Sequence, residues 1–305
     1  MKNLLFILLC IVSISCNQKI ENKKVDLSEN EVAKSVEHEK RNLSKEFNDY
    51  WYNSEAEISS YELSQSRYGE LRDGTAVMIF VTEPFDNDQQ IKADSDNKNN
   101  RPVLKLNATR NFNTGIYPYS IMSSTFLPLD TQENAIKIAG SIQEWCGQTY
   151  MQFNQREDAY EVTLHSYFQS EGNKTFDIDN VLTENQIPAQ LRLDPKNMPT
   201  GDIKMIPSTE FLRLKHVETK PYEAVAKLSE IVDGFLYSIK FTDLGRTIAF
   251  KTEKEFPYRI LSWMDRYNDG TAPMVSTGTL KNTIKTAYWN KNTNEDAVLR
   301  DSLKL

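Results

Sequence analysis

Past Trp51 the chain is a succession of short apolar, β-branched and aromatic runs separated by turn residues, and this texture limits the fold more than any other feature. The run at 75–81 is compact and apolar and stops at Glu83-Pro84, as a buried strand does. Residues 103–109 alternate, 117–127 continue in strand-like residues, and 135–142, 148–153 and 160–168 read as three successive antiparallel strands. Farther on, 191–193, 202–206, 211–218, 235–241 and 247–251 are short strand-like runs, divided by turn chemistry such as Asp233-Gly234 and Leu244-Gly245. Residues 222–231 fit a strand or a helix, 257–267 a short helical turn, and 279–288 alternate again. Asn294 stands where it could cap a last short helix running to Leu303. Strands joined by short loops, without regular intervening helices, predict a mainly β protein built from antiparallel sheet. Fourteen Tyr and fourteen Phe favour strands in the same way.

One long amphipathic helix is expected before the sheet, over 28–52. Ser28 with Glu31 makes a capping box, Leu27 with Val32 a hydrophobic staple, and Val32, Val36, Leu43, Phe47, Tyr50 and Trp51 share one face. Residues 53–185 and 186–305 are then two β-rich regions or one continuous domain.

The N-terminus predicts an address. Lys2 precedes nine uninterrupted apolar residues at 4–12, too few to span a bilayer but enough for the apolar core of a signal peptide over 1–15. Ser13-Ile14-Ser15-Cys16 resembles the lipobox of bacterial lipoproteins, with Ser15 as the small residue before the lipidated cysteine. That resemblance implies a diacylglyceryl thioether and an N-acyl chain on Cys16, and two or more chains anchor a protein stably. Residues 16–27 would form a polar tether. Asn17 is not the aspartate that retains such proteins in the inner membrane, so the outer membrane, with the body facing the periplasm, is expected. Of three cysteines, Cys10 leaves with the signal and Cys16 is lipidated, which leaves Cys146 alone and the fold without a disulfide.

Several chemistries are absent from the pattern. The eleven glycines never approach closer than five positions, which excludes a G-x-G-x-x-G dinucleotide turn. Gly69 and Gly74 have P-loop spacing, but Thr75 stands where the lysine belongs. A net charge of −7 argues against nucleic-acid binding. His38, His165 and His216 are too scattered for a local metal pair, and Asp94 and Asp96 begin a calcium-loop pattern that Lys98 ends. No metal or cofactor is expected. Cys146 could act as a thiol nucleophile with His165 or His216 as its base, although a small buried hydrophobe beside Trp145 is the simpler expectation. His216 and Glu218 would share a strand face, and His165 would be half-buried in its strand. Phe112, Tyr117 and Tyr119 around Gly115 could line an apolar ligand groove. The partners expected are the membrane, through Cys16, and an envelope protein or apolar ligand.

The segments F-N-D-Y-W-Y (47–52), A-E-I-S-S-Y-E-L (56–63), R-Y-G-E-L (67–71) and G-T-A-V-M-I-F-V-T-E-P-F (74–85) resemble a lipoprotein family of the Bacteroidota. So do V-L-K-L-N (103–107), T-G-I-Y-P-Y-S-I-M (114–122), Q-E-W-C-G-Q (143–148), H-S-Y-F (165–168) and R-L-K-H-V-E (213–218), and the likeness covers nearly all of the mature chain. Members of that family often carry the label "septum formation inhibitor Maf". Nucleotide pyrophosphatases of the Maf type bind triphosphate with an S-x-S-P-R-R loop, and no Pro-Arg pair occurs in this chain. The resemblance carries no activity with it, and the expected function is an anchored envelope protein, non-enzymatic and ligand- or partner-binding, ahead of an envelope hydrolase or thiol enzyme using Cys146 with His165 or His216, with a Maf-type pyrophosphatase last.

Overall fold

The computed structural model describes residues 38–305. Ala56–Arg67 (β1) and Glu70–Asp86 (β2) make a long hairpin, and Ile91–Lys92 (β3) pairs briefly with the end of β2. Asn100–Thr114 (β4), Tyr117–Pro128 (β5), Lys137–Glu144 (β6), Gly147–Arg156 (β7), Ala159–Ser166 (β8) and Lys174–Asp179 (β9) follow as successive antiparallel neighbours. Leu182–Thr183 (β10) and Gly201–Ile206 (β11) form a parallel pair. Tyr222–Ile231 (β12), Gly234–Phe241 (β13), Arg246–Glu253 (β14), Ile260–Asp269 (β15) and Ala272–Thr286 (β16) then return by antiparallel hairpins to β1. The β1–β16 pair unites strands of 53–185 and 186–305 in one sixteen-stranded sheet, so the mainly β, antiparallel architecture read from the sequence is the one observed.

The sheet begins at β10 and ends at β9, and only Asn180 and Val181 separate those two strands in the chain. Three Cα steps span at most about 11 Å, so the sheet's two edges lie side by side and the sheet must curl round on itself. The interior of the curl is filled. Ile187–Leu193 (α2) and Thr209–Leu214 (α3) pack against β4, β5 and β6 from within, and the largest apolar cluster joins α2 to inward residues of β1, β2, β4, β5 and β11 to β15. Period-two alternation assigns the faces: on β6 Ile138, Gly140 and Ile142 point in, and on β7 Thr149, Met151 and Phe153 do. Gly140 is where α3 touches the wall, because a Cβ there would stand 2.3 Å from Thr209 Oγ1 and 2.7 Å from its Cβ.

Two buried ion clusters tie the interior segment to the sheet. On β14 the Arg246 guanidinium donates to Asp265 Oδ1 (2.7 Å) of β15 and to Glu184 Oε1 (2.7 Å) in the turn before α2. Burial opposes that charge, and the two carboxylates more than offset it, so Arg246 is held well above its ordinary pKa. On α2, Arg192 pairs with Glu57 of β1 and donates from Nε to the Pro257 carbonyl (2.8 Å). Tyr50 donates to the same Glu57 carboxylate.

Several expectations are corrected by this arrangement. Residues 191–193 are the end of helix α2 and 211–214 belong to α3, not to strands. Both helices are about two turns long and buried nearly all round, so neither shows a polar face in the sequence. Residues 260–267 are strand β15, not a helical turn, held between β14 and β16. Residues 222–231 are strand β12. The C-terminal helix is confined to Val298–Ser302 (α4) after a 3-10 turn, and Thr293 rather than Asn294 caps that turn, its backbone N–H and hydroxyl both donating to Asp296. Of the helix expected over 28–52, residues 28–37, with the capping box and staple, lie outside the described residues. Lys45–Trp51 (α1) is helical, capped by Ser44 Oγ on the Phe47 N–H (3.0 Å), whereas Lys40 forms a bridge to Thr131 instead of a helical turn.

Candidate functional site

At the end of the sheet where β1 stops and β2 starts, the interior opens into a cavity of about 340 Å³. The β1–β2, β4–β5, β6–β7, β8–β9, β13–β14 and β15–β16 connections all lie at this end. Inward residues of four strands, Arg67, Tyr119, Ile142 and Thr149, form the wall. The end of α3 supplies Arg213 and Leu214, and His216 and Phe168 come from the segments after α3 and β8. Tyr68, Glu144, Cys146 and Gly147 complete the mouth. Exposed apolar tips crown this end, with Ile116 85 %, Tyr167 77 % and Trp145 68 % accessible. Tyr68 and His216 both hold positive φ angles (59° and 52°), an uncommon conformation for residues other than glycine and one that clusters at functional sites.

The polar groups are of two kinds. Arg67 makes four hydrogen bonds, all to uncharged oxygens: from Nε and Nη2 to the Tyr119 hydroxyl (3.2 and 3.1 Å), to the Leu214 carbonyl (2.6 Å) and to the Tyr68 hydroxyl (3.1 Å). A guanidinium has five N–H donors, so one remains. Arg213 is buried and lies 2.9 Å from Glu171, yet its Nε has no hydrogen-bond partner among the described residues, and neither does the buried Thr149 Oγ1. Such orphaned groups are rare in folded proteins because each forfeits about 1–3 kcal/mol.

Behind the mouth, Glu171 gathers three side chains. Its carboxylate accepts from Ser166 Oγ (2.6 Å), pairs with Arg213, and meets His216 Nδ1 at 2.7 Å. Burial alone would raise this carboxyl, but the Ser166 and His216 hydrogen bonds and the Arg213 charge outweigh it and hold Glu171 below its ordinary value. A carboxyl whose folded pKa is depressed lends stability that is complete above its unfolded pKa and lost as pH falls through the folded one. The melting temperature is accordingly expected to drop below about pH 4.5, the ordinary carboxyl value. Glu171→Gln should lower it at neutral pH and flatten the acid limb, and superimposable acid limbs in the two proteins would refute the assignment.

The residues singled out from sequence separate clearly. Cys146 and His216 come to one cavity, but Cys146 is exposed, not buried, because Trp145-Cys146 is the two-residue turn of the β6–β7 hairpin. The neighbouring Glu144 carboxylate, which accepts from the Cys146 backbone N–H (2.7 Å), pushes the thiol's pKa up, away from the thiolate a nucleophile needs. His216 does not share a strand face with Glu218. It follows helix α3, its partner is Glu171, and Glu218 pairs with Lys220. His165 is exposed rather than half-buried: Leu164 of β8 points inward, so His165 faces outward and stacks on Tyr150. It is therefore on the wrong side of the sheet to serve Cys146. Of the aromatic trio, Tyr119 lines the cavity, Phe112 is buried and stacked on it (4.9 Å between ring centres), and Tyr117 stacks on Trp145 outside it (6.2 Å). Arg67, Thr149, Glu171 and Arg213 are site residues that the sequence does not single out. Cys16 lies outside the described residues.

A larger hollow of about 570 Å³, lined by Arg41, Phe47, Gln132 and Tyr258 among others, adjoins the first described residues and lacks the convergent cations of the first. No protein-family model, curated protein or solved structure matches this chain.

Proposed function

We propose that this chain is an envelope lipoprotein, anchored through lipid on Cys16 at the outer membrane and facing the periplasm, whose β body binds a small ligand without performing chemistry on it. One observation carries the binding half of this reading: a cavity at the mouth of the sheet, walled by aromatic rings and two arginines, with buried polar atoms that have no hydrogen-bond partner among the described residues. Ligand sites are commonly concave, mostly apolar and furnished with a few convergent polar groups. At about 340 Å³ the cavity suits a small molecule rather than a two-chain lipid. The anchor rests on the Ser13-Ile14-Ser15-Cys16 lipobox. Labelling with a lipid precursor is expected to mark the native chain and to vanish in Cys16→Ser, and undiminished labelling of that variant would refute the anchor.

A thiol-enzyme reading has one feature in its favour, the presence of Cys146 and a Glu171-oriented His216 around the same cavity. The Glu144 carboxylate beside Cys146 opposes it, because it pushes the thiol's pKa up. Cys146→Ala separates the two readings: it is expected to leave ligand affinity within about twofold, whereas turnover that disappears with the thiol would establish the enzyme.

A further inference from the structure

We propose that the mouth cavity is a carboxylate site: it takes a small organic monoanion whose carboxylate is held by Arg213, Arg67 and Thr149 and whose apolar body lies against Tyr119 and Phe168. The inference rests on the ligand-binding reading above and adds the chemical class of the ligand. Three facts converge on it. Arg213 is more than nine-tenths buried and lines the cavity, and its Nε, enclosed by protein, has no hydrogen-bond partner among the described residues. Thr149 Oγ1, equally buried on the inward face of β7, has none either. Arg67 spends its bonds on two phenols and a carbonyl, which among the described residues leaves its charge without a bonded carboxylate and one N–H unused.

The missing group is thus one that accepts several hydrogen bonds and carries negative charge. A carboxylate does both, and its planar pair of oxygens matches a guanidinium. Glu144 at the mouth and Glu171 behind Arg213 set the upper limit on that charge. A dianion such as a phosphate monoester would meet two carboxylates, a repulsion that a single negative charge halves. Burial also leaves the Arg213 guanidinium below its ordinary pKa even with Glu171 beside it, so a second anion would restore what desolvation has cost. The apolar part of the ligand follows from the remaining wall, where the Tyr119 ring, Ile142, Leu214 and Phe168 offer no further charge.

The test titrates the full-length protein with 3-phenylpropionate and with its neutral amide by calorimetry. The acid is expected to bind at least about tenfold more tightly than the amide. Arg213→Lys should weaken the acid by about tenfold, since an ammonium cannot offer the forked donors. Because that variant disturbs the Glu171 pair, Thr149→Val is the second arm. It removes the orphaned hydroxyl at nearly constant shape, so it should leave the melting temperature of the free protein unchanged or raised. It should also weaken the acid by about threefold or more and leave the amide unaffected. Acid and amide of equal affinity, or an acid indifferent to Thr149→Val, would overturn the carboxylate assignment while leaving the cavity a ligand site. Failure of both probes to bind would remove the assignment and the ligand-binding reading together.

Discussion

Arg246→Leu is expected to lower the unfolding free energy by about 3–5 kcal/mol, the cost of stranding buried charge when one partner of an ion pair is removed. The guanidinium is 1 % exposed and bonds two carboxylates that are themselves buried, Glu184 and Asp265. Its removal leaves both to repel each other in a site with little water. It also lies over the Phe211 ring, 3.9 Å from the centroid, so β14 loses its grip on α3. The consequence reaches the cavity, because α3 carries Arg213 and leads into His216. Denaturant unfolding measures the loss directly, and a change below about 1 kcal/mol, the level of an exposed pair, would show the cluster to be solvated. A companion variant, Arg246→Leu with Glu184→Gln and Asp265→Asn, should recover part of the stability, since it removes the stranded charges along with the cation.

Gly278→Ala is expected to cost about 3 kcal/mol, the upper end for forcing extra volume into a packed core. Gly278 of β16 lies opposite Trp263 of β15, and a Cβ there would stand 2.2 Å from two carbons of the indole. The indole cannot yield easily: it is buried and packs edge-on against Tyr61 (4.8 Å). If that collision is the cause, the two sites must couple. Trp263→Leu removes the obstructing ring, so Gly278→Ala added to it should cost less than about 1 kcal/mol, a departure from additivity expected only of touching residues. An equal cost in both backgrounds would place the strain elsewhere.

The sheet was legible where alternation is clean. Residues 137–144, 147–156 and 159–166 each carry an apolar face and a polar one, with turn residues between them, and that pattern has no helical counterpart. The interior helices were not legible. Thr209–Leu214 is buried on every side, so the sequence holds neither a helical stripe nor a strand alternation to distinguish the two. The partial success at the site has the same origin. His165 could have been excluded as a base from the inward Val162 and Leu164 that precede it, since parity puts it on the opposite face. Cys146 was expected to be buried because Trp145-Cys146 is apolar, but a two-residue hairpin turn exposes both whatever their polarity. Arg67, Thr149 and Arg213 are each unremarkable in the sequence. Only the curling of the sheet, and the return of α3 to its inner wall, brings them to one cavity.

The most direct test of the cavity as a ligand site uses its own thiol. Cys146 lines the mouth and is the one cysteine among the described residues. Its alkylation by iodoacetamide in the full-length protein, followed by mass spectrometry, should slow severalfold when 3-phenylpropionate is present at saturation. Alkylation of Cys146 at the same rate with and without the saturating probe would contradict the account.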